Sequence, residues 1–407
     1  MVLATNRPYD VAVIGAGLIG LSAAMHVLGR HPRLRVIVLE KHAHPASQQS
    51  GHNSGVIHSG IYYKPGSFKA GFSVEGRTSM LRFCEENDIP TWTCGKLIVA
   101  TREDEVPRLR ALLERGRENR VEGLELVGRE RVREIEPHAR AVEALWAPGT
   151  AIVDFVRVAR AYVRKIIGAG GEIRFDSRVT SARQIAGTTL LGTGSGEIET
   201  RAIVNCAGLH ADVVARMTGV RPKLRIIPFR GEYYTLGKSS EHLVRGLIYP
   251  VPDPAFPFLG VHFTRTMKGV IEAGPNAVLA TKREGYRKRD IAVTDVLGML
   301  GYPGFWRLAR REWKTGLREL DRSLRKSVFV RSLQQMVPEV TGSDLLAGGS
   351  GVRAQAVAPD GTLLDDFRIE QSPNAIHVLN APSPGATSSL VIGREIADLV
   401  ESAFPIN

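Results

Sequence analysis

Short apolar runs and a segment of helical spacing alternate at the start of the chain. Residues 11–14 and 36–39 are continuous apolar runs of the kind that form buried parallel strands. Residues 18–29 between them repeat apolar positions at helical spacing and contain glycines. The pattern predicts a strand, a helix and a second strand, and neither a signal peptide nor a transmembrane helix.

The rest of the chain continues with patterns of both kinds. In chain order they predict a helix over residues 154–167, a strand over 172–180, a buried strand over 202–208, antiparallel strands within 223–280 and a helix over 390–400.

The first predicted turn carries a Gly-x-Gly-x-x-Gly motif formed by Gly15, Gly17 and Gly20. In such a turn the first glycine makes the bend, the second admits a pyrophosphate, and the third lets the helix pack on the strand. Glu40 ends the second apolar run, 20 residues after Gly20, where a carboxylate accepts hydrogen bonds from ribose hydroxyls. Strand, turn, helix and acid together predict a dinucleotide site, although the motif alone does not separate NAD from FAD.

Two further glycine-rich stretches favour FAD over NAD. Residues 47–60 are small, polar and long enough to wrap a large ligand, and residues 380–389 precede the last predicted helix. A nicotinamide domain needs only one such stretch. Cofactor-type pieces thus occur in three separate parts of the chain.

The fold class predicted from this organisation is α/β. We expect a Rossmann-like FAD-binding domain built from three chain segments, 1–80, 146–222 and 340–407. The intervening segments, 81–145 and 223–339, are expected to form an α+β substrate domain with a mainly antiparallel sheet.

Composition narrows the class of protein. Of 407 residues, 43% are hydrophobic and 24% charged, which excludes disorder, collagen and coiled coil for most of the chain. The 3 cysteines include no Cys-x-x-Cys pair, so we expect a reducing compartment and no metal site. The formal net charge of +12 is compatible with an acidic substrate, a phosphate-bearing cofactor, an anionic membrane or nucleic acid.

The basic excess is concentrated late in the chain. Residues 282–331 hold 14 Lys/Arg and 6 Asp/Glu, a net charge of +8. Within them, residues 304–324 form an amphipathic helical pattern whose apolar stripe is Trp306, Trp313, Leu317, Leu320 and Leu324. Such a helix either binds an anionic lipid surface or buries its stripe against the substrate domain, and we favour burial.

The chain resembles the FAD-dependent D-amino acid oxidase superfamily and, within it, the L-2-hydroxyglutarate dehydrogenase family. The resemblance spans nearly the whole chain and is carried by residues 50–67, 94–100, 227–234, 248–264, 274–287, 351–356 and 380–389. It implies non-covalently bound FAD, oxidation of L-2-hydroxyglutarate to 2-oxoglutarate, and electron transfer to a quinone or oxygen. The sequence departs from the family's pattern in residues 288–340 and at the C-terminus. These departures affect the expected membrane or electron-acceptor surface more than the expected chemistry.

The motif and the resemblance together give the candidate cofactor-binding residues. They are Gly15, Gly17, Gly20, Glu40, Lys41, Asn53, Ser54, Gly55, Val179, Ala207, Gly208, Gly351, Gly385, Ala386 and Thr387.

Oxidation of a 2-hydroxy acid requires a base that takes the hydroxyl proton while a hydride leaves C2. A neutral histidine suits this role, and His58 and His262 are favoured over His52 without a ranking between them. In the superfamily an arginine in a Gly-x-Arg segment lies over the flavin, which implies that Arg353 binds the C1 carboxylate.

The second carboxylate also needs donors. Candidates are the cations Arg230, Lys282 and Arg283 and the hydroxyl groups of Tyr62, Tyr63 and Tyr249.

Three alternatives remain. The first is a related flavoenzyme that oxidises another anionic substrate, such as glycerol-3-phosphate or an amino acid. The other two, a flavoprotein that binds nucleic acid and an NAD-dependent dehydrogenase, are less favoured. The expected partners are a small dicarboxylate and an electron acceptor, with no nucleic acid. We expect a cytoplasmic location. Peripheral contact with an anionic membrane surface, at the cytoplasmic face of the inner membrane, stays open.

Overall fold

The computed structural model describes residues 7–253 and 259–404. Residues 254–258, part of one stretch that carries the resemblance, and the ends of the predicted cofactor domain at 1–6 and 405–407 lie outside the described residues.

The described strands form three sheets. In chain order they are β1 (Tyr9–Ile14), β2 (Val36–Leu39), β3 (Val56–Ile57), β4 (Thr91–Trp92), β5 (Lys96–Ala100), β6 (Glu125–Gly128), β7 (Glu143–Ala147), β8 (Ala151–Val153), β9 (Glu172–Arg174), β10 (Val179–Ile185), β11 (Thr188–Thr193), β12 (Gly196–Asn205), β13 (Arg225–Leu236), β14 (Leu247–Pro250), β15 (His262–Arg265), β16 (Ile271–Gly274), β17 (Val278–Leu279), β18 (Leu345–Val357), β19 (Arg368–Ser372) and β20 (Ala375–Asn380).

Helices alternate with these strands along the chain. The α-helices are α1 (Leu18–Arg30), α2 (Phe68–Glu86), α3 (Val106–Glu118), α4 (Arg129–Ile135), α5 (Phe155–Gly168), α6 (Ala211–Met217), α7 (Val293–Leu300), α8 (Pro303–Leu324), α9 (Lys326–Gln334) and α10 (Ser389–Ala403). Short 3₁₀ helices span Glu103–Glu105, Gly208–His210 and Lys238–Leu243.

The first sheet has a parallel centre in the order β20-β12-β1-β2-β9, extended by antiparallel β10, β11 and β19. Its central strands are apolar on both faces because both faces are covered. Side chains of α1, α5 and α10, such as Leu21, Val158 and Ile396, build the core on one face. The predicted Rossmann-like α/β domain is confirmed.

The second sheet has nine strands, in the order β17-β13-β16-β15-β14-β5-β7-β6 with β18 also paired to β13. All its pairs are antiparallel except β14–β5, so the mainly antiparallel sheet is confirmed. Strand β18 lies in the segment predicted for the cofactor domain, yet it pairs along β13 and brings residues 351–353 into the second sheet. A small third sheet, β3-β8-β4, completes the set.

Two expectations about individual elements are wrong. The strand expected over 172–180 is two strands, β9 and β10, because the backbone turns between them at Asp176, which has a φ of +51°. The apolar stripe of α8 is not buried: Trp306, Trp313 and Leu317 are 57%, 55% and 57% exposed. The opposite face of the helix, with Leu308, packs on the protein instead.

No helix within residues 7–253 and 259–404 combines the length and the apolar character needed to cross a bilayer.

Candidate active site

A cavity of about 980 Å³ lies where the two large sheets meet. The first sheet contributes the segments that follow the carboxyl ends of β1, β2, β12 and β20, and the second contributes side chains from β13, β14, β15 and β18. Ligands of open α/β sheets bind at this end of the parallel strands. The cavity is therefore the candidate active site.

The turn between β1 and α1 has room only for glycine at two positions. Gly15 has a φ of +107°, and a Cβ there would lie 2.6 Å from the carbonyl oxygen of Cys206. A Cβ at Gly20 would lie 2.1 Å from the carbonyl oxygen of Gly15. The glycines therefore bring the start of α1 against the cavity as a dinucleotide turn requires, so the residues present fit FAD.

The carboxylate of Glu40 is held in place by the same turn. Its two oxygens accept hydrogen bonds from the backbone N–H groups of Ala16 at 2.8 Å and His42 at 3.0 Å. The side chain is only 7% exposed and lines the cavity at the end of β2. A carboxylate at this place, at the end of the second strand, is the one that accepts from ribose hydroxyls in dinucleotide folds.

Every predicted cofactor-binding residue except Gly55 lines the cavity. Gly55 adopts a φ of +71° in the turn before β3, and a Cβ there would lie 2.7 Å from the carbonyl oxygen of Val153. Lys41 lines the cavity, but its ammonium contacts Glu284, which also accepts from His210 at 2.7 Å. Burial opposes ionisation of Glu284, but the hydrogen bonds from His210 and Lys41 lower its pKa overall.

The two glycine-rich loops are tied to each other by side chains. Asn53 stabilises the first loop, since its side-chain oxygen accepts from the N–H of Gly55 and its amide donates to the carbonyl of Ser50. Thr387 in the second loop accepts from the N–H of His58 at 3.0 Å. The cavity wall near His58 thus depends on both loops.

His262 lines the cavity as an imidazole of fixed tautomer. Its Nδ1 lies 2.8 Å from the carbonyl oxygen of Gly260, and a carbonyl only accepts. Nδ1 therefore carries the proton, and the lone pair is on Nε2. The ring stacks on Tyr249 at 3.9 Å between centroids. Burial, followed by the charges of Arg353 and Lys96, lowers the pKa of His262 to about 3.

His58 also lines the cavity, but its Nδ1 is not held by a carbonyl of the described residues as that of His262 is. Its Nδ1 is buried without a hydrogen-bond partner among the described residues. Burial lowers the pKa of His58 to about 3, with smaller contributions from Lys96 and His262. Both predicted histidines are therefore neutral and lie at the same end of the cavity. His52 lines the cavity too, where its Nδ1 contacts the carbonyl oxygen of Ser350.

Arg353 reaches the same end from β18. It lines the cavity, and its guanidinium donates to the carbonyl oxygen of Asn276 at 3.5 Å. Its charge acts on His262, so the two groups are close neighbours.

The candidates for the second carboxylate separate into two groups. Tyr62, Tyr63 and Tyr249 line the cavity. The three cations do not. Arg230 pairs with Glu232 at 2.9 Å, Arg283 pairs with Asp212 at 2.8 Å, and Lys282 is exposed to solvent.

Comparison with known proteins gives the family. The DAO family of FAD-dependent oxidoreductases matches residues 10–399. The chain belongs to this family. An L-2-hydroxyglutarate dehydrogenase of Indibacter alkaliphilus is 48% identical over 397 residues, which cover 97% of this chain and 100% of the relative. The mitochondrial L-2-hydroxyglutarate dehydrogenase of Homo sapiens is 43% identical over 420 residues, 99% of this chain and 91% of the relative.

Two solved structures share the fold. An L-α-glycerophosphate oxidase of Mycoplasma pneumoniae, with FAD bound, has a TM-score of 0.78 at 24% identity and covers 97% of this chain and 95% of its own. Glycine oxidase of Geobacillus kaustophilus has a TM-score of 0.73 at 20% identity, covering 98% and 96%. This member of the DAO family is therefore an FAD-dependent oxidoreductase.

Sequence reasoning missed one charged group, which lies near the end of the active-site cavity where His58, His262 and Arg353 meet. Lys96 begins β5, is 1% exposed, and acts electrostatically on both His58 and His262. The available signal was a lysine at the start of an otherwise apolar strand, directly after a glycine.

Proposed function

We propose that the protein oxidises L-2-hydroxyglutarate to 2-oxoglutarate. The observation that carries the proposal is the grouping of a neutral histidine of fixed tautomer, His262, with the buried cation of Arg353 in the cavity that holds the dinucleotide turn. A 2-hydroxy acid needs a base for its hydroxyl and a cation for its carboxylate. The substrate named for relatives 42–48% identical over nearly the whole chain supports the same choice.

FAD, when bound, supplies the acceptor for the hydride that leaves C2. Glu40, the Gly15–Gly20 turn and the two glycine-rich loops, which line the cavity, would hold the dinucleotide. Arg353 binds the C1 carboxylate and orients C2. The Nε2 lone pair of His262 takes the hydroxyl proton, because its Nδ1 is committed to the Gly260 carbonyl. On this proposal His58 is not the base, and it donates or accepts a hydrogen bond at the substrate.

An anaerobic titration tests the proposal. Purified holoenzyme is mixed with L-2-hydroxyglutarate while the visible flavin band is followed, with the D isomer and glycerol-3-phosphate in parallel. The L form alone should bleach the band. A yellow protein that stays oxidised with the L form, or is reduced by glycerol-3-phosphate instead, contradicts the substrate assignment.

We further propose that the electrons pass to a quinone at an anionic membrane, to which the protein binds peripherally. The apolar surface of α7 and α8 supports the membrane contact. It consists of Val293, Leu297, Leu300, Trp306, Trp313, Leu317, Leu320 and Leu324, each at least 39% exposed. Exposed Arg310, Lys314 and Arg318 flank it. A basic amphipathic helix with exposed Trp and Leu is typical of interfacial lipid binding.

A second cavity supports the same route. It encloses about 440 Å³ beneath α8 and is lined by Leu308 and Trp313 of that helix. Leu259, Pro275 and Leu363 line both this cavity and the active-site cavity. An apolar acceptor from the lipid phase would thus have a space close to the flavin site.

Vesicle flotation tests the membrane surface. The protein should float with vesicles that contain anionic phosphatidylglycerol and stay behind with neutral phosphatidylcholine. Leu317→Glu should weaken the binding, whereas Ile167→Glu should not, because Ile167 is 59% exposed on α5, outside this surface. Failure of the protein to float with anionic vesicles contradicts the proposal that the surface of α7 and α8 binds a membrane. The electron acceptor is tested in the same vesicles. Quinone reduction that is no faster than oxygen consumption contradicts the proposal that a quinone accepts the electrons.

A further inference from the structure

Lys96 occupies an unusual position for a lysine. It is the first residue of β5, and the residue before it, Gly95, has a φ of +72°. A Cβ at Gly95 would lie 2.0 Å from the Trp146 ring, so only glycine fits there. The glycine and the tryptophan thereby fix the point at which the lysine enters the sheet, and its side chain is 1% exposed.

The ammonium of Lys96 lies between two aromatic rings. It is 4.4 Å from the centroid of Tyr62 and 5.2 Å from that of Tyr249. Both rings line the active-site cavity, and Tyr249 stacks on His262. Cation–π contacts offset part of the cost of burying the charge, but they do not neutralise it.

The surroundings of Lys96 contain no compensating acid among the described residues. Burial is the sole cause that shifts its pKa, and no described carboxylate raises it again. The two described acids that line the cavity are engaged elsewhere: Glu40 at the dinucleotide turn and Asp365 with Lys69 at 2.7 Å. Arg353 stands at the same end, so Lys96 adds a second buried cation there. A second anionic group on the ligand is the complement of Lys96.

We propose that Lys96 supplies the counter-charge for the second carboxylate of the substrate, acting from behind the rings of Tyr62 and Tyr249, while Arg353 binds the first. The inference rests on the proposed oxidation of a dicarboxylate and adds the residue that distinguishes a dicarboxylate from a monocarboxylate. Lys96 is a positioning residue here, because the tyrosine rings stand between it and the cavity.

The expected size of the effect follows from Coulomb's law. A unit charge about 7 Å away, at an effective dielectric constant of about 20, changes binding on the order of 50-fold. A monocarboxylate of the same length lacks this interaction, so its affinity should not depend on Lys96.

The pH dependence provides a second readout. Burial lowers the pKa of Lys96 to about 7, so the ammonium is charged below that pH and neutral above it. The groups around it do not titrate there: the pKa values of His58 and His262 are lowered to about 3, and those of Tyr62 and Tyr249 are raised. Dicarboxylate affinity should fall as the pH rises above about 7.

The experiment measures Kd from the perturbation of the flavin band in holoenzyme. The ligands are 2-oxoglutarate and 2-oxovalerate, which has the same chain length without the second carboxylate. In Lys96→Met, the Kd for 2-oxoglutarate should rise on the order of 50-fold and that for 2-oxovalerate less than about threefold. Lys96→Arg should keep the affinity for 2-oxoglutarate and lose its decline above about pH 7, because arginine stays charged.

Lys326→Met is the matched control. Lys326 also lies over a tyrosine ring, 5.7 Å from Tyr234, but outside the active-site cavity. It should change neither Kd. Equal losses for both ligands in Lys96→Met overturn the proposal, and so does an unchanged alkaline decline in Lys96→Arg. If Lys96→Met does not hold FAD, the pH profile of Lys96→Arg decides alone. Failure of the proposed function is distinct, since wild-type flavin would then not be reduced by L-2-hydroxyglutarate.

Discussion

A methyl group added at Gly20 tests whether the packing of α1 on its turn creates the cofactor site. The Cβ of Gly20→Ala would lie 2.1 Å from the carbonyl oxygen of Gly15, whereas a carbon and an oxygen approach to about 3.3 Å. The helix therefore has to move away by about 1 Å. Overpacking of this kind costs about 1–3 kcal/mol of unfolding free energy.

The shift should also weaken FAD binding. Loss of two backbone N–H bonds to phosphate, at about 1.5 kcal/mol each, corresponds to an affinity about a hundredfold lower. The assay is the ratio of flavin to protein absorbance after dialysis, followed by Kd from flavin fluorescence and by Tm without added FAD. For a chain of 407 residues, Tm should fall by about 1 °C for each kcal/mol.

Gly29→Ala on the same helix is the control. A Cβ at Gly29 meets no atom within 4 Å, so the substitution should keep FAD and stabilise the helix by about 0.5–1 kcal/mol. If Gly20→Ala binds FAD as tightly as Gly29→Ala and melts at the same temperature, the close approach of α1 to its turn is not what forms the site.

Three further predictions concern the base, a buried ion pair and one thiol. In rapid-mixing experiments, His262→Gln should slow flavin reduction about 10²–10⁴-fold with little change in substrate Kd; a large change in Kd alone would contradict the role of base. Asp212→Asn should cost about 3 kcal/mol, because the buried Arg283 loses its 2.8 Å partner and keeps, of the described carboxylates, only Asp295 at 3.7 Å. Burial opposes ionisation of Asp212, but Arg283 lowers its pKa overall, so this stability is present above the usual carboxyl pKa and is lost as the pH falls through the folded value; a Tm that rises on acidification would refute it. Burial raises the pKa of Cys206 to about 12, so mass spectrometry should show no alkylation of this thiol near neutral pH until the protein is unfolded.

The dinucleotide half of the site was predictable because its physics is local. A turn that needs a positive φ at Gly15 and a carboxylate at the end of the next strand leaves a signature in the order of residues. The same holds for β1, β2, α5 and α10, whose apolar periodicity matches the faces that they bury.

The substrate half was less predictable because its groups meet only in three dimensions. Arg230 and Lys96 are both basic residues of strands, and the chain alone does not show that Glu232 neutralises the first while nothing described neutralises the second. The prediction that the apolar stripe of α8 is buried was wrong for a related reason. An amphipathic pattern shows that a helix has an apolar face, and it does not show whether protein or lipid covers that face.

The positive charge of the chain therefore divides into two groups that salt should distinguish. Arg353 lines the active-site cavity and Lys96 lies buried behind the rings of Tyr62 and Tyr249, whereas the exposed Arg310 and Lys314 beside α8 face solvent. At physiological ionic strength the Debye length is about 8 Å, and exposed charges are screened far more than buried ones. Raising the salt concentration should release the protein from anionic vesicles while leaving the Kd for 2-oxoglutarate changed by less than about threefold. Parallel loss of both would show that the substrate is held by the outer surface charge, and persistence of both would show that the membrane contact is carried by the apolar stripe alone.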